Sequence, residues 1–126
     1  MKKILIVDDE KEFCDFMKRN LERASEYEVI CASDGKSAIA LARKQKPDLI
    51  LLDIMMPGID GLEVLKKLKE KIETITIPVI MLTAKDEETF KIEAAQAYCE
   101  DYITKPVNLE LLRVKIGNIF TRSGKK

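Results

Sequence analysis

Apolar residues fall along this chain in two rhythms. Dense apolar runs come at residues 3–7, 49–53 and 78–82, with shorter ones at 27–32 and 101–104. The run Leu49-Ile50-Leu51-Leu52 has no polar side at all, which describes a central parallel strand covered by helices on both faces. Between the runs the spacing turns helical. Phe13, Phe16, Met17, Leu21 and Ala24 form one stripe, Ala38, Leu41 and Ala42 a second, Leu62, Leu65, Leu68 and Ile72 a third, and Leu109, Leu112, Ile116 and Ile119 a last one. Leu111 and Val114 lie off that last stripe. A helix over residues 87–98 is the least regular, since Phe90, Ile92, Ala94 and Ala97 share no single face.

Punctuation sharpens the boundaries. Asp9 with Glu12, and Asp60 with Glu63, make capping-box patterns, so the first helix is expected over residues 10–24 and the third after Asp60. Asp34-Gly35, Pro57-Gly58 and Lys105-Pro106 read as turns, Pro47 as the stop after a second helix ending near Gln45, and Asn108 as the cap of the last helix. Strand and helix alternate five times, so the pattern predicts an α/β fold with a parallel sheet, helices on both faces and right-handed crossovers. Alternation alone leaves the strand order open.

At 126 residues the chain fits one domain, and no second one is expected. The 22 basic residues balance the 22 acidic ones, which argues against nucleic acid or a membrane surface as the main partner. Only four apolar residues follow Met1-Lys2-Lys3 before Asp8, too few for a signal peptide or a spanning helix, so a cytoplasmic location is expected. Cys14, Cys31 and Cys99 are odd in number and far apart, which predicts buried free thiols rather than disulfides or a zinc site. Histidine is absent, and every histidine-dependent triad or phosphohistidine within this chain is excluded with it.

The chemistry gathers where strands end. Asp8 and Asp9 follow the first strand, Asp53 closes the third, Thr83 the fourth and Lys105 the fifth. Taken singly each has an ordinary reading: Asp9 a cap, Asp53 a residue before a turn, Thr83 a turn opener, Lys105 a solvated ammonium on an apolar stem. Taken together they place three carboxylates on the edge where α/β sheets bind ligands. Such a cluster calls for a cation, and hard oxygen donors without nitrogen or sulfur suit Mg2+ completed by water and a phosphate. A lysine and a hydroxyl opposite would steady the other phosphate oxygens, with Asp53 the carboxylate nucleophile that accepts a phosphoryl group.

The motifs IVDDE, LLDIMMPGIDG, VIMLTA and DYITKP, in this order and spanning almost the whole chain, resemble the receiver domain of two-component response regulators, among them the chemotaxis regulators. The resemblance implies a single (βα)5 doubly wound, flavodoxin-like three-layer sandwich with strand order 2-1-3-4-5 over residues 1–121, followed by a polar basic tail or linker stump at 122–126. It implies phosphorylation of Asp53 by a histidine kinase or histidine phosphotransfer protein. It also implies Mg2+ held by Asp8, Asp9, Asp53 and the Met55 carbonyl, with Asp8 acting largely through water. Lys105 and Thr83 would bind the phosphoryl oxygens, Tyr102 would turn inward as Thr83 moves, and the side chains of Met55 and Lys85 would tune phosphate lifetime. The Lys105-Pro106 bond would be cis. Signalling would pass through the face formed by the fourth helix, fifth strand and fifth helix to an effector, a fused output domain or a phosphorylation-dependent homodimer. The domain would contact neither nucleic acid nor membrane directly. Beyond its own phosphotransfer and slow autodephosphorylation it would not be an enzyme. One departure is Tyr98-Cys99, where receivers commonly carry a small Gly-Ala pair.

Two other readings set themselves against this one. A pseudo-receiver that binds a partner without phosphate would not need the complete polar set. A phosphohydrolase would want a second aspartate where Met55 stands, and a flavin protein would want a phosphate-cradling loop where Asp8-Asp9-Glu10 is acidic.

Overall fold

In the computed structural model, which describes residues 1–23, 27–56, 58–83 and 99–124, the dense runs become strands β1 (Lys2–Val7), β2 (Tyr27–Ala32), β3 (Leu49–Asp53), β4 (Val79–Thr83) and β5 (Asp101–Thr104). They form one parallel sheet in the order β2-β1-β3-β4-β5. Among the described residues the helices are α1 (Lys11–Leu21), α2 (Gly35–Gln45), α3 (Gly61–Glu70) and a C-terminal helix (Leu109–Gly124). This is the doubly wound α/β arrangement that the alternation of periods predicts.

Every residue of β3 and β4 is buried, because each face of the sheet meets helices. Leu5, Val7, Ile50, Leu52, Val79 and Met81 pack with α2 and α3 residues including Ala38, Ala42, Val64, Leu65 and Leu68. The alternate residues Ile4, Ile6, Leu49, Leu51, Ile80 and Leu82 pack with Cys14, Met17 and Leu21 of α1 and with Leu112, Ile116 and Ile119 of the C-terminal helix. Period two along the strands thus sorts the core into two layers around the sheet. A fully buried leucine or isoleucine contributes about 1.5–3 kcal/mol, so these layers hold the strand ends in place.

The local expectations divide. Asp60 caps α3 by accepting from the Glu63 N–H at 2.9 Å, and Asn108 accepts from the Leu111 N–H at 3.0 Å. Asp9 does not cap α1; the N-cap is Glu10, which makes no side-chain capping bond. The reason lies one residue earlier, where the Asp8 carboxylate takes the Glu10 N–H at 2.9 Å and turns the chain before the helix can start. Asp34 is a helix cap rather than half of a free turn, accepting from the Ser37 N–H at 2.8 Å, and Gly35 is the first residue of α2. The α2 helix closes on Lys46 in the left-handed conformation, just ahead of Pro47. Ile72 falls beyond α3 and is 87% exposed; the buried residues of that helix are Gly61, Val64, Leu65 and Leu68. Pro78 precedes β4 rather than opening it. Of the cysteines only Cys14 is buried, while Cys31 and Cys99 are partly exposed. The expected helix over 87–98, together with Ala24, Pro57, Lys85 and Tyr98, lies outside the described residues.

Two contacts set the height of the β3 end. Gly61 donates its N–H to the Ile54 carbonyl at 2.8 Å, and a Cβ there would press into the Asp53 carbonyl and come within 2.6 Å of the Ile54 Cα. On the other side the Ile54 N–H reaches the Leu82 carbonyl at 3.1 Å.

Candidate functional site

Register brings the strand-end residues together. Val7 pairs with Leu52, so Asp8 lies beside Asp53; Asp53 pairs with Leu82, so Thr83 follows directly; and Thr83 pairs with Thr104, so Lys105 comes next. The Lys105 N–H returns to the Thr83 carbonyl at 2.7 Å, and its peptide bond to Pro106 is cis, as the resemblance implies.

Carboxylate oxygens of Asp8, Asp9 and Asp53 lie within 4.8 Å of one another, Asp8 and Asp53 buried and Asp9 exposed. At that spacing each charged pair repels by about 3–4 kcal/mol at an effective dielectric near 20. Lys105 offsets part of it. Its ammonium donates to Asp8 Oδ2 at 2.7 Å and stands 3.5 Å from Asp53 Oδ2. Burial alone would lower the Lys105 pKa, but the hydrogen bond to Asp8 and the charge of Asp53 outweigh it and hold the ammonium above its ordinary range. For Asp53 the balance goes the other way. Burial, helped by the charge of Asp8, pushes its carboxyl up to about 6 against the pull of Lys105 and of the Met55 N–H.

The donor set is all oxygen, three carboxylates wide, with one of them open to solvent, and it fits a small hard dication that keeps part of its water shell. Thr83 supplies a second sign of an absent partner. Its Oγ1 is buried and has no hydrogen-bond partner among the described residues, although an unsatisfied buried hydroxyl costs about 1–3 kcal/mol. Met55 presents a half-exposed side chain beside Asp53. Tyr102 does not join this cluster; it packs partly buried against the α2 and α3 core layer and lines a groove of 360 Å³ with Asn108, Leu111 and Lys115.

Sequence reasoning passed over one neighbour of the cluster. The Phe13 ring lies under the Lys105 ammonium, 4.6 Å from nitrogen to centroid, although its helical spacing reads only as core. Its place one turn after Asp9 is the signal that could have brought it to this rim. The thiols of Cys14 and Cys31, 17 residues apart, are also neighbours, with Cys31 Sγ 3.9 Å from the Cys14 carbonyl.

Known proteins share this fold. A family model described as the response regulator receiver domain matches residues 4–117. The alkaline phosphatase synthesis transcriptional regulatory protein PhoP of Bacillus subtilis is 45% identical over 122 residues, covering 97% of this chain and 50% of PhoP. The chain thus spans about half the length of that relative. Among solved structures, the receiver domain of Francisella response regulator 1452 superposes with a TM-score of 0.86 at 34% identity, covering 98% of this chain and 99% of that one. Chemotaxis protein CheY4 of Vibrio cholerae gives a TM-score of 0.86 at 29% identity, covering 94% of this chain and 98% of that one.

Proposed function

The chain belongs to the response regulator receiver family, and on that premise we propose that Asp53 accepts a phosphoryl group from a partner's phosphohistidine in a Mg2+-dependent reaction. One observation carries the reading: Lys105 bridges Asp8 and Asp53 at the rim where Asp9 also converges, with the buried Thr83 hydroxyl, unpartnered among the described residues, on the adjoining strand. Asp8, Asp9, Asp53 and the Met55 carbonyl would hold the metal, which supplies charge neutralisation for the phosphoryl oxygens.

The residues of the chain do the rest. An Asp53 carboxylate oxygen attacks phosphorus as the bond to the donor imidazole nitrogen breaks, leaving an acyl phosphate on Asp53 and the imidazole to take up a proton. At neutral pH a carboxyl held at about 6 is mostly ionised and still basic enough to attack. Lys105 turns from the carboxylates to the phosphoryl oxygens, and Thr83 donates its hydroxyl to one of them, gaining a partner that it lacks among the described residues. The added charge biases a two-state equilibrium in which Tyr102 leaves its half-exposed position, reporting through β5 and the C-terminal helix. A histidine kinase or histidine phosphotransfer protein is the donor, and an effector, an output domain or a second receiver reads the face. The reaction belongs to the cytoplasm. Lys85 would tune phosphate lifetime with Met55.

Incubation with acetyl phosphate and Mg2+, read by intact mass, tests the assignment. The wild-type chain takes up one phosphoryl group and Asp53→Asn takes up none. Labelling of the variant at the wild-type rate overturns the site.

A further inference from the structure

The Lys105 ammonium has three N–H bonds and, among the described residues, three close neighbours. Two are the carboxylates of Asp8 and Asp53, at 2.7 and 3.5 Å; the third is the face of Phe13, 4.6 Å to the ring centroid. An aromatic face attracts a cation through its quadrupole, most strongly where water is partly excluded, and only a quarter of the Lys105 side chain is exposed. The ring itself is anchored. Phe13 sits in the first turn of α1, next to the buried Cys14, and packs partly buried against the core layer shared by α1 and the C-terminal helix. Phe16, three residues on, is 44% exposed, so α1 brings one aromatic ring to the site and leaves the other half-exposed.

We propose that Phe13 is a positioning residue that holds the Lys105 ammonium between Asp8 and Asp53 and thereby raises the rate of phosphoryl transfer. The inference rests on the phosphoryl-acceptor reading of Asp53. The chemical advantage of a ring is that it offers no lone pair. Lys105 must exchange one set of oxygen acceptors for another during the reaction, and a carboxylate in the place of Phe13 would compete for the same N–H bonds. The ring confines the ammonium to an arc over the site and leaves its donors free.

The test uses the whole chain with acetyl phosphate in saturating Mg2+, so that no partner surface is involved. Phe13→Leu keeps the apolar packing and removes the quadrupole, and its labelling is expected to slow about 3- to 10-fold. Phe13→Tyr and Phe13→Trp keep the face and should stay within about twofold of wild type, an aromatic rescue that packing alone does not give. A second readout needs no phosphate. In lysine-labelled protein the Lys105 Hε protons should resonate upfield through the ring current, and return to their ordinary position in Phe13→Leu. Should Phe13→Leu not fold, Phe13→Met serves as the non-aromatic arm. Equal labelling rates with and without the ring, or unshifted Hε protons in the wild type, overturn the proposal. A wild-type chain that takes no label overturns the phosphoryl-acceptor reading instead, and the Hε shift then still decides the contact by itself.

Discussion

Asp53 is only 6% exposed, and burial raises its carboxyl from the ordinary 3.8 to about 6. A folded-state pKa above the unfolded one means that folding favours the protonated acid. Its contribution to stability is complete below about pH 4 and is lost as the pH rises through 6. At neutral pH the ionised side chain therefore costs the fold something that a neutral isostere does not. Asp53→Asn should be more stable than the wild type at pH 7, by on the order of 1–3 kcal/mol, with the gap closing as the pH falls toward 4. Urea melts of both chains at several pH values check the sign, and a variant less stable at pH 7 would contradict it. Asp8, Asp53, Thr83 and Lys105 stood out in the sequence as a set, because each follows or ends an apolar run at the same edge of the sheet, although each alone has an ordinary reading. Phe13 was not, since an aromatic at helical spacing looks like core. Its meeting with Lys105 depends on a side chain reaching from the end of β5 past β4 to Asp53 and Asp8.

Among the elements, the loops after β1 and β3 repay comparison. Asp9 with Glu12 and Asp60 with Glu63 carry the same capping pattern, yet only Asp60 caps. Spacing alone could not separate them, because the difference is made by the neighbouring Asp8, whose carboxylate already holds the Glu10 N–H. The aspartate freed from capping is the one exposed at the acidic rim. The start of α3 is constrained from below by Gly61, where any side chain meets the backbone of Asp53 and Ile54. Two substitutions separate these roles. Asp60→Ala should cost about 1 kcal/mol in a denaturant melt and leave acetyl-phosphate labelling unchanged. Gly61→Ala should cost about 1–3 kcal/mol and also slow labelling, because the strain is relieved only by moving the residue that carries the nucleophile. Full-rate labelling in Gly61→Ala would show that the strain is absorbed in α3.

For the molecule as a whole, the alternation of strand and helix was enough to predict a parallel sheet with two helical layers, whereas the order β2-β1-β3-β4-β5 came with the family resemblance. Periodicity says which face of a strand is covered but carries no information about which strand lies beside it. A cation that gathers three carboxylates should stabilise the folded chain and have little to bind in the unfolded one. Mg2+ at ten times its dissociation constant is expected to add about 1.4 kcal/mol, visible as a rise of several degrees in Tm. Asp9→Asn should abolish most of that rise, and an equal rise in both chains would place the ion elsewhere. The two-sided sorting of β3 has one more consequence. Leu49 and Leu51 meet one layer and Ile50 and Leu52 the other, so a single inserted codon anywhere in that strand would exchange its sides and aim the acid away from its lysine. Length variation in such a chain must therefore collect at the far ends of the strands, as in the stretch around the exposed Ile72, where an extra residue shifts no reading frame of sides.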